Sequence, residues 1–385
     1  MPLVVLLVAV SNVYGEPVPT QAAVISDDLD RESLRVAIRH SVSYLEKLPP
    51  NRVVGEQPRR FTAQEILDTL LAFEKLLDRW DCRECWTKEF NERFELISSA
   101  SDAASIEVLF TGYYQPVIDG SLIPTAEYRY SIYGKPADMI SAEQVTLTPP
   151  APTEKIVGRL EGENFVPYYS RREIDDFGSL RGRGYEIAWL KDPIDVFFLH
   201  IQGSGILRLP DGHRIGVGYA AQNGRAYRSI GRLLIDQGKI SQEEMSMQRL
   251  RRYLQEHPEE RNDILAYNDN YVFFRFVKNG PLGSLEVPVT AGRSIATDPR
   301  LFPKGALAFI ETQEPVIDNA GHLIGWKPFS RVVLNQDAGG AIRGFQRVDL
   351  FFGTGDQAAA AAGYMNSRGR LFFLALKNPP PAKLR

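Results

Sequence analysis

A change of hydrophobic period near Val108 constrains the fold of this chain more than any other feature. Before it, "FTAQEILDTLLAFEKLLDRW" has apolar residues three or four positions apart, which predicts an amphipathic helix with Thr62 and Glu65 at a capping-box spacing. After it, runs such as "EVLFTGYYQPVIDG" carry the aromatic and β-branched residues of strands, punctuated by glycine and proline. The sequence therefore predicts a mainly β protein with a helical N-terminal part, of the α+β class.

Local patterns predict further elements in the middle of the chain. We interpret "DVFFLHIQGSGILRLPDGHRIGVGYAAQNG" as successive strands, with a hairpin turn at Asp211-Gly212. A helix is expected around "AYRSIGRLLIDQG", and another after Ser241, where Glu244 completes a second capping-box spacing.

Length and charge restrict the function classes. The chain has 385 residues, enough for two domains, and its net charge of -3 gives no reason to expect binding to nucleic acid or to an anionic membrane. Residues 1–15 resemble a secretory signal without its basic start, although a short buried element or a start codon called too late gives the same pattern. No cysteine follows this apolar run, which argues against a bacterial lipid anchor.

The two cysteines, Cys82 and Cys85, stand in "WDCRECW". They are too few for a four-thiolate zinc site, and the surrounding pattern is not that of a thioredoxin-like redox centre. The histidines show no metal-ligand spacing either. In an oxidising compartment the pair predicts a small structural disulfide.

Residues 336–356, "QDAGGAIRGFQRVDLFFGTGD", hold three aspartates, and two of them, Asp337 and Asp349, stand among glycines and strand-like apolar residues. This stretch is either a β-hairpin with decorated ends or an open site around a carboxylate. Strand alternation puts Asp349 on one face with Arg347 and Phe351. A partly covered acid beside an aromatic ring suits a general acid, whereas the plain alternative is an edge-strand Asp paired with an arginine.

A third candidate, Asp298, stands in "TDPRLFPKG", where it serves either a site or only a turn or helix cap. Two hydrolase classes are disfavoured: Ala338 follows Asp337, with no second copy of an aspartic-protease motif, and "QGSGI" lacks the outer glycines of a serine nucleophile elbow. Stretches rich in Tyr, Gln, Asn and Gly favour an uncharged, polyhydroxylated substrate instead.

Several long blocks, in order over residues 110–374, resemble the membrane-bound lytic transglycosylase A family of bacterial murein enzymes: "LKDPIDVFFLHIQGSGILRL", "AAQNGRAYRSIG", "VPVTAGRSIATDPRLFPKG" and "QDAGGAIRGFQRVDLFFGTGDQAAAAAGYMNSRGRLFFL". The resemblance implies a double-psi β-barrel with a second β-rich domain inserted into it and a groove between them. The residues before Phe110 do not contribute to this resemblance. Combined with the signal-like and helical patterns described above, it predicts 1–15 as the signal segment, 16–109 as the helical part of the barrel domain, 110–279 as the insertion and 280–385 as the barrel.

The resemblance also implies site residues. Asp349 matches the catalytic acid of the family, and Asp337 matches a neighbouring carboxylate that supports the charge and geometry of the site. Candidates for lining the groove are Gln202, Ser204, Gly205, Tyr113, Tyr114, Lys304 and Asp298.

The implied activity is that of a peptidoglycan lytic exotransglycosylase, which breaks the β-1,4 bond after N-acetylmuramic acid without water and leaves 1,6-anhydro ends. The sequence itself does not separate cleavage at strand ends from internal cleavage. The resemblance implies no metal or organic cofactor, glycan strands as partner and other cell-wall enzymes as further candidates. We expect a periplasmic monomer that binds no nucleic acid. The family also implies association with the outer membrane, although the lipid-anchor cysteine is missing here. The rivals are a hydrolytic muramidase on the same scaffold and a non-catalytic polysaccharide-binding module.

Overall fold

The computed structural model describes residues 25–99, 107–144, 154–278, 280–340 and 342–379. The predicted signal segment, 1–15, lies outside these ranges. Within them, no helix is both long and apolar enough to cross a membrane.

Nine α-helices lie in the described ranges: α1 (Arg31–Leu45), α2 (Ala63–Leu76), α3 (Arg83–Arg93), α4 (Arg171–Asp175), α5 (Pro193–Gln202), α6 (Ile230–Asp236), α7 (Met247–Glu256), α8 (Pro258–Tyr267) and α9 (Asp356–Tyr364). The strands of the same ranges are β1 (Val53–Gly55), β2 (Phe61–Thr62), β3 (Phe94–Ser98), β4 (Val108–Gln115), β5 (Val117–Ser121), β6 (Tyr130–Tyr133), β7 (Ile140–Gln144), β8 (Glu154–Glu161), β9 (Asn164–Pro167), β10 (Glu186–Leu190), β11 (Ser204–Arg208), β12 (Arg214–Gln222), β13 (Val272–Val277), β14 (Ser294–Thr297), β15 (Leu307–Ile317), β16 (Leu323–Ala338), β17 (Arg347–Thr354) and β18 (Asn366–Leu376).

The largest sheet closes on itself. Its strand order is β15-β16-β14-β17-β4-β18-β3, and β15 also pairs with β18, so that six strands form a barrel to which β3 is attached. Two pairs, β14 with β16 and β17 with β4, are parallel, and the other neighbours in the barrel are antiparallel. This closure leaves no free edge between the strands that carry the aspartates.

A second sheet of six strands, in the order β13-β12-β11-β5-β10-β6, and a small sheet of β7, β8 and β9 form the inserted part. β4 belongs to the barrel and β5 to the second sheet, so the chain passes from one to the other between Gln115 and Val117. The class and architecture predicted from the sequence are confirmed. The domain ranges 16–109, 110–279 and 280–385 stay predictions.

The N-terminal helices cover the outside of the barrel. The predicted apolar face of α2, at Ile66, Leu70 and Phe73, is buried in one continuous core with the barrel strands. The Thr62 side chain caps α2 through the Glu65 amide, as the capping-box spacing predicts. Cys82 and Cys85, at the start of α3, form the predicted disulfide.

Two local predictions were wrong. The stretch "DVFFLHIQ" is helix α5, not strand: Asp192 caps it, Pro193 occupies its first turn, and Gly203 ends it with a φ of 74°. These end signals outweigh the β propensity of the apolar run between them. The helix predicted to follow Ser241 is α7, which starts later, at Met247, with Ser246 as its cap. Ser241 caps only a turn, through the Glu244 amide.

The hairpin predicted at Asp211-Gly212 is confirmed. β11 and β12 pair in antiparallel register from Ser204 opposite Gly218 to Arg208 opposite Arg214. Gly212 has a φ of 87°, a conformation that costs other residues energy.

Candidate active site

Both aspartates lie in a row of four directly opposed residues, one from each of four neighbouring barrel strands. Ala296 of β14 lies opposite Asp337 of β16 on one side and opposite Asp349 of β17 on the other. Asp349 in turn lies opposite Thr111 of β4. Because directly opposed residues share a face of the sheet, the two carboxyl groups flank a single methyl group.

The carboxyl group of Asp349 is held by one oxygen. Its Oδ1 accepts hydrogen bonds from the Thr111 hydroxyl and, at 3.2 Å, from the Nε of Arg347. Among the described residues, Oδ2 has no hydrogen-bond partner. The Asp349 side chain is 17% exposed. The site therefore fixes the orientation of the carboxyl group and leaves one oxygen free to exchange a proton.

Asp337 is the second carboxyl group of the row. Its Oδ1 accepts hydrogen bonds of 2.8 Å from the backbone amides of Ser284 and Ala338. Burial raises the pKa of Asp337 to about 6, the charge of Asp349 adds to the increase, and the backbone amides oppose it. Asp337 thus changes charge close to neutral pH.

Two tyrosines border the carboxyl groups. The ring of Tyr113 packs on Phe351 with centroids 5.1 Å apart, and its buried hydroxyl faces Asp337 without reaching good hydrogen-bond geometry. Burial, followed by the charge of Asp337, raises the pKa of Tyr113. Tyr227 belongs to the inserted part; burial raises its pKa, and its hydroxyl lies within electrostatic range of Arg347 and Asp349. Both parts of the molecule therefore contribute to the surroundings of Asp349.

The hairpin alternative for residues 336–356 is excluded by the sheet order. β16 and β17 do not pair with each other, because β14 lies between them. The connection passes over the end of β14, where the side chain of Asp298 accepts a 2.9 Å hydrogen bond from the Gly344 amide. Residues 336–356 therefore place two carboxyl groups on either side of a third strand.

Asp298 itself is fully buried and paired with Arg300 through both carboxylate oxygens. Burial raises the pKa of Asp298, but Arg300 and the Gly344 amide outweigh it and bring the pKa below its ordinary value. These contacts support the turn-holding alternative. A role for Asp298 in substrate binding stays a prediction.

Four of the predicted groove residues lie at or next to the place where the inserted part meets the barrel. The Oε1 atom of Gln202, the last residue of α5, accepts a 3.0 Å hydrogen bond from the Tyr114 amide in β4. Tyr114 is 7% exposed and packs against α9. Ser204 and Gly205 start β11, and a Cβ atom at Gly205 would lie 2.6 Å from the Leu199 side chain. The hydrogen bond between Gln202 and Tyr114 thus links the inserted part to the barrel, whereas Gly205 allows close packing of β11 on α5 within the inserted part.

Lys304 lies in a different place. It lines a cleft of about 630 Å³ together with β1 and residues 299–300, and Asp349 is not among the lining residues. Its backbone amide donates a hydrogen bond to Val54. The structure does not bring Lys304 into contact with the aspartate row, and its role in binding stays a prediction.

Sequence reasoning missed Thr111, Ala296 and Tyr227. Thr111 and Asp349 are 238 residues apart, and only the strand register brings them together. Tyr227 stands in "AAQNGRAY", a stretch whose composition already indicated sugar binding. Composition alone did not identify which residue of the stretch lies near Asp349. No cluster of three or more possible metal-ligating side chains occurs in the described ranges.

Comparison with known proteins adds an independent result. Residues 109–275 match the family model described as the MltA specific insert domain, and residues 293–375 match that of the 3D domain. Over 278 residues the chain is 34% identical to the membrane-bound lytic murein transglycosylase A of Escherichia coli K12, covering 71% of this chain and 67% of that protein. The Vibrio cholerae protein of the same name is 30% identical over 276 residues, with the same coverage.

Solved structures agree with the sequence matches. A crystal structure of a membrane-bound lytic murein transglycosylase from Agrobacterium tumefaciens superposes with a TM-score of 0.75 at 32% identity, covering 90% of this chain and 93% of that one. The E. coli MltA structure with bound chitohexaose gives a TM-score of 0.71 at 26% identity, covering 95% and 96%. The chain therefore belongs to the membrane-bound lytic murein transglycosylase A family.

Proposed function

We propose that Asp349 is the single acid and base with which this lytic murein transglycosylase breaks the β-1,4 bond between N-acetylmuramic acid and N-acetylglucosamine. One observation carries the assignment: Thr111 and Arg347 both bind Oδ1, and Oδ2 has no partner among the described residues. A carboxyl group fixed through one oxygen presents the other to the substrate in a constant direction, which proton transfer requires.

The reaction balances with one carboxyl group. Asp349 gives its proton to the glycosidic oxygen while the bond from that oxygen to C1 of the muramyl ring breaks, so N-acetylglucosamine leaves with a free hydroxyl. The positive charge that develops at C1 is quenched when the C6 hydroxyl oxygen of the same ring bonds to it. Asp349, now a carboxylate, takes the proton of that hydroxyl. The products are a 1,6-anhydro end and a reprotonated Asp349, with no water consumed.

We assign Asp337 a supporting electrostatic role. It lies across Ala296 from Asp349, and its carboxylate form places a negative charge near the ring that becomes positive. Its pKa of about 6 makes this charge dependent on pH in the neutral range. We assign Tyr113 the role of a wall beside Asp337, since its ring packs on Phe351 and its buried hydroxyl faces Asp337.

We place the glycan strand along the junction of the inserted part and the barrel, where Tyr113, Tyr114, Gln202, Ser204 and Gly205 lie. The hydrogen bond between Gln202 and the Tyr114 amide fixes the width of this junction. An E. coli relative has been solved with bound chitohexaose, a β-1,4-linked sugar chain. We propose a periplasmic location, because bacterial murein, the proposed substrate, lies there. Action from strand ends, attachment to the outer membrane and a monomeric state stay predictions.

Digestion of purified murein sacculi by the wild type and by D349N, with product analysis by mass spectrometry, tests the assignment. We expect anhydromuropeptides from the wild type and a loss of at least about 1,000-fold in D349N. Binding of D349N to chitohexaose is the control for folding.

Two results would overturn the proposal. Reducing ends one water heavier would indicate a hydrolytic muramidase, in which Asp337 activates water, and D337N would then be as inactive as D349N. Binding to sacculi without soluble products, unchanged by D349N, would indicate a non-catalytic module.

A further inference from the structure

Arg347 has a free face beside the proposed acid. Its Nε donates to Oδ1 of Asp349 at 3.2 Å, and its side chain is 35% exposed. Within the described part of the chain, its two terminal nitrogens form no hydrogen bond. A guanidinium group has five N–H donors in a planar fork, so those of the terminal nitrogens remain available to a ligand.

Apart from Asp349, neither Tyr227 nor Arg343 neutralises or occupies this face. Tyr227, which lies within electrostatic range, is uncharged at neutral pH because burial raises its pKa. Arg343, the nearest other arginine along the chain, is bound to the carbonyl oxygens of Gly339 and Ile342 and so shapes the loop. Arg347 is therefore the positive group in this stretch that a substrate can reach next to Asp349.

We propose that the terminal nitrogens of Arg347 bind a carboxylate carried by the muramyl residue of the substrate, and that this contact selects murein over neutral polysaccharides. This inference rests on the proposed function, because it takes Asp349 as the group at the scissile bond. N-acetylmuramic acid differs from N-acetylglucosamine by a lactyl ether that ends in a carboxyl group. In murein, that carboxyl group is either free or extended by an acidic peptide.

The chemistry of the pair supports the assignment. Guanidinium groups bind carboxylates through two parallel charge-assisted hydrogen bonds, which are stronger than neutral ones. The Nε atom of Arg347 binds Asp349, and the terminal nitrogens belong to the same guanidinium group. A carboxylate bound by those nitrogens therefore lies close to Asp349 and to the glycosidic bond that breaks. A chain of N-acetylglucosamine alone offers no anion to this group. The exposure of Arg347 and its single contact thus match a substrate with an acidic substituent.

The test compares R347Q and R347K with R370Q. Arg370 is an exposed arginine that pairs with Glu311 on the barrel surface, and it controls for the loss of a positive charge alone. Dissociation constants are measured in a D349N background, so that no substrate is consumed. The ligands are peptide-bearing glycan strands, peptide-free strands with the lactyl carboxylate exposed, and chitohexaose.

We expect R347Q to weaken binding of one or both acidic ligands by about 10- to 100-fold and to leave chitohexaose binding within twofold. R347K should lie in between, because an ammonium group lacks the fork. A larger loss on peptide-free strands identifies the lactyl carboxylate as the ligand, and a larger loss on peptide-bearing strands identifies the peptide.

Equal losses for the acidic ligands and chitohexaose would overturn the inference and leave Arg347 as a partner of Asp349 only. No loss for any ligand would overturn it as well. These binding results do not depend on the reaction products. A failure of the proposed reaction would be seen separately, as the absence of anhydro ends in the wild-type digest.

Discussion

Asp337 and Asp349 lie opposite the same residue, Ala296, from the two strands that flank it. The methyl group of Ala296, which is almost completely buried, therefore separates the two carboxyl groups. Strands are about 4.8 Å apart, which puts the two α-carbons roughly 10 Å from each other. The proposed acid and its electrostatic partner thus depend on how little space residue 296 takes up.

Enlarging Ala296 should impair the reaction more than the fold. We expect A296V to lower kcat/KM on soluble glycan strands by at least about 10-fold, because two added methyl groups occupy the space between the carboxyl groups. Valine suits a strand, but two methyl groups added at this buried position should also cost about 1–3 kcal/mol of stability, so kcat/KM is measured at a temperature where the variant stays folded. A296S, which adds a single oxygen, is the matched control. Full activity in A296V would contradict the prediction and show that the reaction does not need the space between the two carboxyl groups.

Thr111 is expected to act through the orientation of Asp349. T111V removes the hydroxyl that donates to Oδ1 and keeps the shape of the side chain. We expect kcat to fall about 10- to 100-fold with KM changed less than about twofold, since a misdirected carboxyl group affects proton transfer rather than binding. T111S should retain most of the activity. Steady-state kinetics on murein fragments distinguishes this result from a general loss of folding, which would lower the active fraction in both variants.

The raised pKa of Asp337 predicts a pH-dependent stability. Because the folded protein holds this proton up to about pH 6 and the unfolded chain only to about pH 4, the stability that Asp337 contributes falls as pH rises through this window. We expect D337N to raise the free energy of unfolding at pH 8 by on the order of 1–3 kcal/mol and to have little effect at pH 4. Urea titrations at the two pH values measure it.

The pKa of Asp298 is shifted in the opposite direction, so its effect on stability has the opposite dependence on pH. Its pKa is lowered in the folded protein by Arg300 and by the Gly344 amide, despite burial, so its contribution is present above about pH 4 and is lost as pH falls. D298N should therefore destabilise the protein at pH 8. If D337N and D298N shift stability in the same direction at pH 8, the electrostatic account of Asp337 is wrong.

Gly112 sets the distance between β4 and α9. A Cβ atom at this position would lie 2.6 Å from the α-carbon of Ala362, so the helix would have to move. We expect G112A to destabilise the protein by about 1–3 kcal/mol, as overpacking does. G325A is the control, since a Cβ atom at Gly325 would meet nothing within 4 Å. Equal unfolding midpoints in the two variants would contradict the prediction.

The sequence predicted what depends on local pattern and what a family resemblance carries over. The capped face of α2, the disulfide of Cys82 and Cys85, and the aspartates as candidates follow from neighbouring residues or from matched blocks. The helix α5 was missed because the apolar run between Asp192 and Gly203 suits a buried strand as well as a buried helix.

The contacts of the site are of another kind. That Thr111 donates to Asp349, and that Ala296 separates the carboxyl groups, depends on the register between strands distant in the chain. Hydrophobic period fixes which face of a strand is buried but not which strand lies beside it. The raised pKa of Asp337 likewise follows from burial that only the closed barrel produces.

The order of strands in the barrel also affects when activity arises during synthesis. β4, which holds Thr111, lies between β17 and β18, and both are among the last elements of the chain. A nascent or truncated chain that ends before residue 347 has no Asp349 and lacks both barrel neighbours of β4, although residues 117–277 already contain all six strands of the second sheet. Such long-range pairing makes barrel closure a late step of folding. An enzyme that cuts the cell wall therefore gains its cutting site only when its synthesis is nearly complete.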